Sequence, residues 1–457
     1  MRDHRPFDFT EGPVMRQMVA FAAPTFFANI LQASYHFVDS LWVGNLLGSD
    51  ALAAVTLSSP VVFTILAFII GMNSASLTIL SQARGRRDEE GLRQSLNAFV
   101  VILGLLTVVL GAIGIAASSA ILRWLGAPVD LMPTASAYLR ILFAGIPFLF
   151  GYTFMGTILR ALGDSRTPLR IVGTAVALHV ALDPLFIAGF GWGVPGAAAA
   201  TLVSQGTAFV WGLTYAIRRL RVPFSVPRWP PKEYALEVIR LGVPGGLQMI
   251  SVSSGMVAVM GVVAGFGKSV LAGFGAVQRI ESMMMLPGQT LGSVVNSMAG
   301  QNIGAGRWDR VRTITRDAML LIIGASAVMG AICFFGSGWL VRLFTDDPEA
   351  VEFGVGYLRT VSLFFVLVGF NFVMNGITRA AGAMFAVLAL NILSLWVLRY
   401  PLVALMSERL GPSGIAWGFA ASFALSFLAI AAYFLTGRWR RARLHLPGRD
   451  KGPNGTR

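Results

Sequence analysis

The stretch YHFVDSLWVGNLLG, Tyr35–Gly48, closes a long apolar segment and places an acid, Asp39, inside it. From Met15 to about Leu46 the residues are mostly apolar. Thr25, Asn29, Gln32, His36 and Asp39 nevertheless recur at spacings of four, three, four and three, which puts them on one helical face. A carboxylate at the bilayer centre costs roughly 2.5–3.5 kcal/mol on insertion scales, so acids there face a bundle interior or a watery cavity and mark ion or substrate pathways. A packing stripe of small polar residues would account for the threonine, asparagine and glutamine. The aspartate fits that stripe poorly.

The segment is the first of many like it. The 457 residues are 55% hydrophobic and 13% charged, with mean hydropathy +0.69, which excludes an ordinary soluble globular protein. Twelve stretches have the roughly 20 apolar residues that a helix needs to cross about 30 Å of hydrocarbon. They lie near 15–46, 51–82, 95–120, 132–161, 168–190, 194–217, 236–265, 271–301, 316–341, 353–381, 384–406 and 412–436. The expected fold is an all-α polytopic membrane protein of twelve transmembrane helices.

A net charge of +14 would suggest nucleic acid in a soluble chain. Here the basic residues cluster in alternate loops, at Arg84–Arg93, Arg160–Arg170, Arg218–Lys232, Arg307–Arg316 and Arg438–Arg443, while Arg123, Lys268, Arg342 and Arg409 are sparse on the other side. The positive-inside rule then places both termini in the cytoplasm and leaves no charge that calls for nucleic acid. The single cysteine, Cys333, excludes a disulfide framework or a cysteine metal site. The first apolar segment is long and starts after MRDHRPFDFTEGP, so it reads as an uncleaved span.

The halves repeat. Tyr138-Leu139-Arg140 recurs as Tyr357-Leu358-Arg359, Arg160-Ala161 with Gly163 as Arg379-Ala380 with Gly382, and Gln82 with Gly85 as Gln301 with Gly304, each 219 positions on. GVPGAA at Gly193 matches GPSGIA at Gly411, 218 positions on. Four matches in order at one displacement indicate duplication. The expected plan is an N-terminal lobe over 1–219, a Pro-rich cytoplasmic linker over 220–235, a C-terminal lobe over 236–437 and a basic tail over 438–457. Each lobe holds six spans, so the two are related by a pseudo-two-fold along the membrane normal, one of the recurrent transporter plans.

A second acid, Asp183, lies in HVALDPLF, with His179 four residues earlier on the same face and Thr201 and Gln205 in the following span. The cluster reads either as a titratable site or as a charge-assisted pair that only stabilises the bundle. Buried carboxylates near one another can bind and release protons close to neutral pH. The repeat places Ala258 opposite Asp39 and Tyr400 opposite Asp183, so ion chemistry is expected in the first half alone. The second half offers Asn371, Asn375 and Thr378 on one face, Gln248, Ser251 and Gly255 on another, and the run Gln278, Arg279, Glu281, Met283, Met284, Met285. Arg279 can pair with Glu281, snorkel outward or counter a carboxylate elsewhere.

Pro24, FVDSLWVGNLLG, the paired Gln82 and Gln301, the LDP at Asp183 and AVQRIESMMMLPGQTLG from Ala276 together resemble the MATE family of multidrug and toxic compound extrusion transporters, over about Glu11 to Arg438. The resemblance implies two six-helix lobes around a V-shaped central cleft. It also implies export of diverse, often cationic and apolar compounds in exchange for protons or sodium. Acids at Asp39 and Asp183, without the acids of the sodium-coupled branch in spans seven and ten, are similar to the DinF-type branch and imply proton coupling, with sodium less favoured. Tyr35, Asp39, Asp183 and Thr201 match that branch's first-lobe pattern and Arg279 its span-eight arginine. His179 and Gly156 depart from it, each standing where relatives have asparagine.

The expectation is a proton-driven antiporter and not an enzyme. Asp39, Asp183, His179, Tyr35 and Thr201 carry coupling. Arg279, Gln278, Met283, Asn371 and Asn375, with Gln32 and His36, are the candidate substrate-binding residues. No metal or cofactor is expected beyond the coupling ion. The expected partners are small-molecule drugs and the lipid bilayer, around a monomer in the inner membrane of a prokaryote. The alternatives are a lipid-linked precursor flippase and, from another class, an intramembrane aspartyl protease, whose YD and GxGD signatures are absent.

Overall fold

Long apolar runs with their backbone groups satisfied internally fold as helices, and the computed structural model, which describes residues 6–442 and 444, contains no strand among them. The side chains of His36, Phe37, Asp39, Ser40, Ser49 and Asp50, and of eight residues between 52 and 62, lie outside that description. The helices are α1 Val14–Leu47, α2 Ser49–Gly85, α3 Glu89–Trp124, α4 Met132–Ala161, α5 Arg166–Pro184, α6 Val194–Arg218, α7 Lys232–Ala264, α8 Lys268–Met284, α9 Leu286–Gly304, α10 Trp308–Arg342, α11 Pro348–Ser362, α12 Phe365–Ala380, α13 Met384–Ile392, α14 Tyr400–Leu410 and α15 Ser413–Leu435.

Among the described residues nine helices are alone long and apolar enough to cross a membrane, or ten if α11 and α12, bent by 55° at their junction, make one span. The two other expected spans are helical too. The first is α6, whose apolarity is diluted by Gln205 and by alanines and glycines. The second is α8 with α9, broken at Met285 just before Pro287. Two helices also start earlier than their apolar stretches, α3 at Glu89 and α10 at Trp308, because Glu, Gln and Arg are good helix formers and a helix need not end where the hydrocarbon does. Two helix starts, those of α3 and α11, are capped by a local carboxylate. The Asp88 carboxylate accepts from Gly91 N–H at the head of α3, and the Asp347 carboxylate from Glu349 N–H at the head of α11.

The described chain divides into two compact units. The first spans Ala23–Gly246 with residues 6–8, and the second takes Phe9–Ala22 and Leu247–Leu444. The division therefore falls inside α1, just before Pro24, and inside α7, just after Pro244, not in the Pro-rich segment between the halves. In the first unit α2 and α7 touch backbone to backbone. A Cβ on Gly71 would sit 2.2 Å from the Gly245 carbonyl oxygen, so only glycine permits the contact. The segment before α7 is pinned as well, since Arg228 N–H donates to Asn97 Oδ1 at 3.0 Å and Asn97 Nδ2 donates to the Arg228 carbonyl at 2.7 Å.

In the second unit the segment before α1 is held in the same manner. Phe9 N–H donates to Gln301 Oε1 at 3.2 Å, Asn302 Nδ2 donates to the Phe9 carbonyl at 3.0 Å, and Arg310 reaches the carbonyls of Phe9, Glu11 and Gly12. Phe9 itself is fully buried, edge-on to Phe21. The turns after α4 and α12 use the repeated glycines, Gly163 at φ +91° and Gly382 at φ +92°, where an L side chain would be strained. A π-helical segment follows Pro184 over Leu185–Gly189, and another, Leu393–Arg399, precedes Tyr400-Pro401. Single π turns of this kind often mark functional sites.

Candidate functional site

The first unit gathers its polar residues at the end of α5. His179 and Asp183, one helical turn apart, are both completely buried, and His179 Nδ1 stands 3.3 Å from Asp183 Oδ2. The other ring nitrogen, Nε2, is 3.0 Å from Thr201 Oγ1 on α6. Tyr35 on α1 closes the group. Its ring stacks on the imidazole with centroids 4.0 Å apart, while its hydroxyl pairs with Ser204 Oγ at 2.5 Å and donates to the Thr201 carbonyl at 3.4 Å. Three helices thus meet through one imidazole, which presents one nitrogen to a carboxylate and one to a hydroxyl. Either protonation state of that ring keeps a partner at Thr201, since a hydroxyl both donates and accepts.

The local sequence explains the geometry. Pro184 ends α5 directly after Asp183, and the π turn that follows widens the helix at that point. Alanines and glycines on α6 let α5 approach Thr201 closely. One turn before Tyr35, Gln32 accepts from the Tyr152 hydroxyl at 2.8 Å, so α1 is tied to α4 as well as to α6. Asp39 follows Tyr35 by four residues on α1, but its side chain and that of His36 lie outside the described residues. Gly156, on α4, faces Arg160 at ordinary contact distance.

Of the expected coupling residues, then, Tyr35, His179, Asp183 and Thr201 come together. The expected substrate residues are more dispersed. Arg279 is exposed and lies 5.8 Å over the Phe344 ring, and Met283 is 60% exposed. Arg279 does not pair with Glu281. Gln278 Nε2 does, at 3.0 Å from Glu281 Oε2, with the Tyr357 hydroxyl 3.5 Å from Oε1. Asn371 and Asn375 are half-buried on one face of α12, and among the described residues neither side-chain carbonyl has a hydrogen-bond partner. Near them Arg379 donates to Gln248 Oε1 at 3.1 Å.

Sequence reasoning missed Ser204 and the partners of Glu281. Ser204 was within reach, since it lies three residues after Thr201 on the same helix face. Tyr357 lies 76 residues from Glu281 and carries no local signal of their meeting.

Comparison with known proteins agrees with this architecture. The MatE family model matches residues 24–185 and again 244–405, the second match beginning 220 positions after the first. The chain is 49% identical over 440 residues to the probable multidrug resistance protein YpnP of Bacillus subtilis, covering 96% of this chain and 99% of that one. It is 32% identical over 432 residues to the probable multidrug resistance protein YoeA of the same organism, covering 92% and 93%. Among solved structures, the outward-facing conformation of a multidrug resistance MATE family transporter of the MOP superfamily superposes with a TM-score of 0.89 at 23% identity, covering 96% of this chain and 100% of that one. At that identity the match shows the fold alone.

Proposed function

The chain belongs to the MatE family of membrane transporters and is not an enzyme; from that premise we propose that it exports diverse apolar, often cationic drugs in exchange for protons taken up in its first unit. The observation that carries the coupling is the completely buried His179–Asp183 pair, bridged to α6 by Thr201 and to α1 by the stacked Tyr35. A proton entering this group changes its net charge where no solvent compensates. The ring stack that ties α1 to α5 and the hydrogen bonds that tie α1 to α6 then adjust to the new charge. Pro24, within α1, breaks one helical hydrogen bond and gives that helix a place to bend in response.

Protons are favoured over sodium by the same geometry. A hard cation needs several oxygen ligands, and here an imidazole stands between the Asp183 carboxylate and the Thr201 hydroxyl. Asp39 is assigned to this coupling group from its register on α1. Gln278, Arg279, Met283, Asn371 and Asn375, with Gln32 and His36, remain the proposed substrate contacts. The protein is read as a monomer in a prokaryotic inner membrane with both termini cytoplasmic.

The test is ethidium efflux from proteoliposomes under an imposed pH gradient, with and without sodium, for wild type, Asp39→Asn and Asp183→Asn. Efflux that follows the pH gradient, ignores sodium and disappears in both variants supports the proposal. Efflux driven by sodium alone would sink it.

A further inference from the structure

Glu281 is the acid that the first-unit mechanism does not use. It sits on α8 with 3% exposure, and its partner Tyr357 belongs to the hydrophobic core of the second unit, as do its α8 neighbours Val277 and Ile280. Its two oxygens are met by neutral groups, Gln278 Nε2 at 3.0 Å and the Tyr357 hydroxyl at 3.5 Å. Both partners are reversible. An amide presents a carbonyl as readily as an N–H, and a phenol accepts as well as donates. A protonated Glu281 would therefore keep both partners by reversing one hydrogen bond, its single O–H donating to the amide carbonyl or to the phenol while the other oxygen still accepts, whereas a carboxylate locked in a salt bridge would lose its partner on protonation.

The charge that acts on Glu281 is Arg399, at the end of the second π segment, and it is anchored without the carboxylate. Its Nε donates to Ser422 Oγ at 3.2 Å, and its guanidinium lies 4.8 Å over Phe423 and 5.1 Å over Phe419. Among the described residues no ion pair joins Arg399 to Glu281. The remaining titratable groups around the acid are Tyr357 on α11 and Cys333 on α10. A fixed guanidinium nearby opposes binding of a metal cation as a second full charge, and four oxygens of this kind make no cage for one. A proton needs only the carboxylate itself.

Two helix breaks meet beside the site. Met284 and Met285, three and four residues beyond Glu281 on the same face, end α8 and line a small cavity with Pro287, Ser326 and, from just past the α11–α12 bend, Phe365. The corresponding helices of the first unit, α2 and α4, are continuous. A broken span next to a buried acid provides both room for a water and a joint that a change in charge can move.

We propose that Glu281, with Gln278 and Tyr357, is a second proton-binding site, built into the second unit where the breaks of α8–α9 and α11–α12 meet. The inference builds on the reading of the chain as a proton-driven exporter. It replaces the expectation that ion chemistry is confined to the first half. Proton uptake at Glu281 would remove its negative charge, leave the Arg399 charge unbalanced and release the joint at Met285, lowering affinity for a cationic substrate from this side.

The test is infrared difference spectroscopy of the full-length protein in lipid nanodiscs, titrated between about pH 5 and 8, with ethidium affinity measured in the same samples. The expected result is a carboxylic-acid band that rises on acidification in wild type and in Asp183→Asn. That band is absent in Glu281→Gln and shifted in Tyr357→Phe. Ethidium affinity in Glu281→Gln should lose a proton dependence of about fivefold or more, within the usual range of site-to-site coupling. Identical spectra for wild type and Glu281→Gln overturn the proposal. Should Glu281→Gln fail to fold, Tyr357→Phe, which keeps the carboxylate, decides alone, and an unshifted band overturns it. The spectra read protonation and not transport. Sodium-driven efflux would therefore refute the coupling proposed above while leaving a titrating Glu281 in place.

Discussion

One pair of positions is solved differently in the two units. In the first, α2 meets α4 where Asn73 Nδ2 donates to Thr157 Oγ1 at 3.1 Å. In the second, 219 positions on, the same two sites are Gly292 and Gly376, and a Cβ on Gly376 would lie 2.4 Å from the Gly292 carbonyl oxygen. A hydrogen bond holds one helix pair and bare backbone contact holds the other, since within a membrane both kinds of glue are available. The π segments diverge likewise. The first follows an acid and a proline, Asp183-Pro184, and the second ends on a cation, Arg399, before Tyr400-Pro401. The duplicated framework keeps its helix crossings and its π segments while exchanging the groups placed at them. Framework and chemistry are thus separable, and each can be tested by itself.

The largest framework effect is expected at the glycines. Gly376→Ala forces a methyl into the Gly292 carbonyl and should cost about 3 kcal/mol, the upper part of the overpacking range, read as lost folded protein after thermal challenge in detergent. The largest functional effect is expected at the acid. Asp183→Asn should lower pH-driven ethidium efflux about a hundredfold, near the upper end of coupling energies, with thermal stability changed little because the amide keeps the volume. His179→Gln comes next. It removes the ring stacked on Tyr35, and efflux should fall about fivefold and follow pH less steeply than in the wild type, measured as a rate profile against pH. Smallest is Asn73→Ala, which deletes the hydrogen bond answering to the glycine contact and should cost only about 0.6 kcal/mol. If Asn73→Ala proved as damaging as Gly376→Ala, the two solutions would not be equivalent, and the comparison would fail.

Much of this was legible in the chain because its rules are local. Apolar length marked most of the helices, and the four-residue spacing of His179 and Asp183 marked the buried pair. Hidden features depended on distance in sequence. The bend between α11 and α12 falls at Leu363-Phe364, with neither proline nor glycine to announce it. Glu281 looked like a partner for Arg279, two residues away, yet residues two apart on a helix do not face one another, and Tyr357 takes that role. The division of the units inside α1 and α7 was equally unreadable, since the Pro-rich segment at Arg218–Lys232 has every mark of a boundary.

The pinned segment ahead of α1 has a consequence for how the protein is made. Phe9 leaves the ribosome well before the Gln301 that receives its N–H, which is made 292 residues later. At about 5–20 residues per second, synthesis leaves that segment without its partner for roughly 15–60 s. The segment ahead of α1 is therefore fastened only after most of the helices have been made. Whatever holds it during that interval, translocon or chaperone, acts on a stretch whose final binding place does not yet exist.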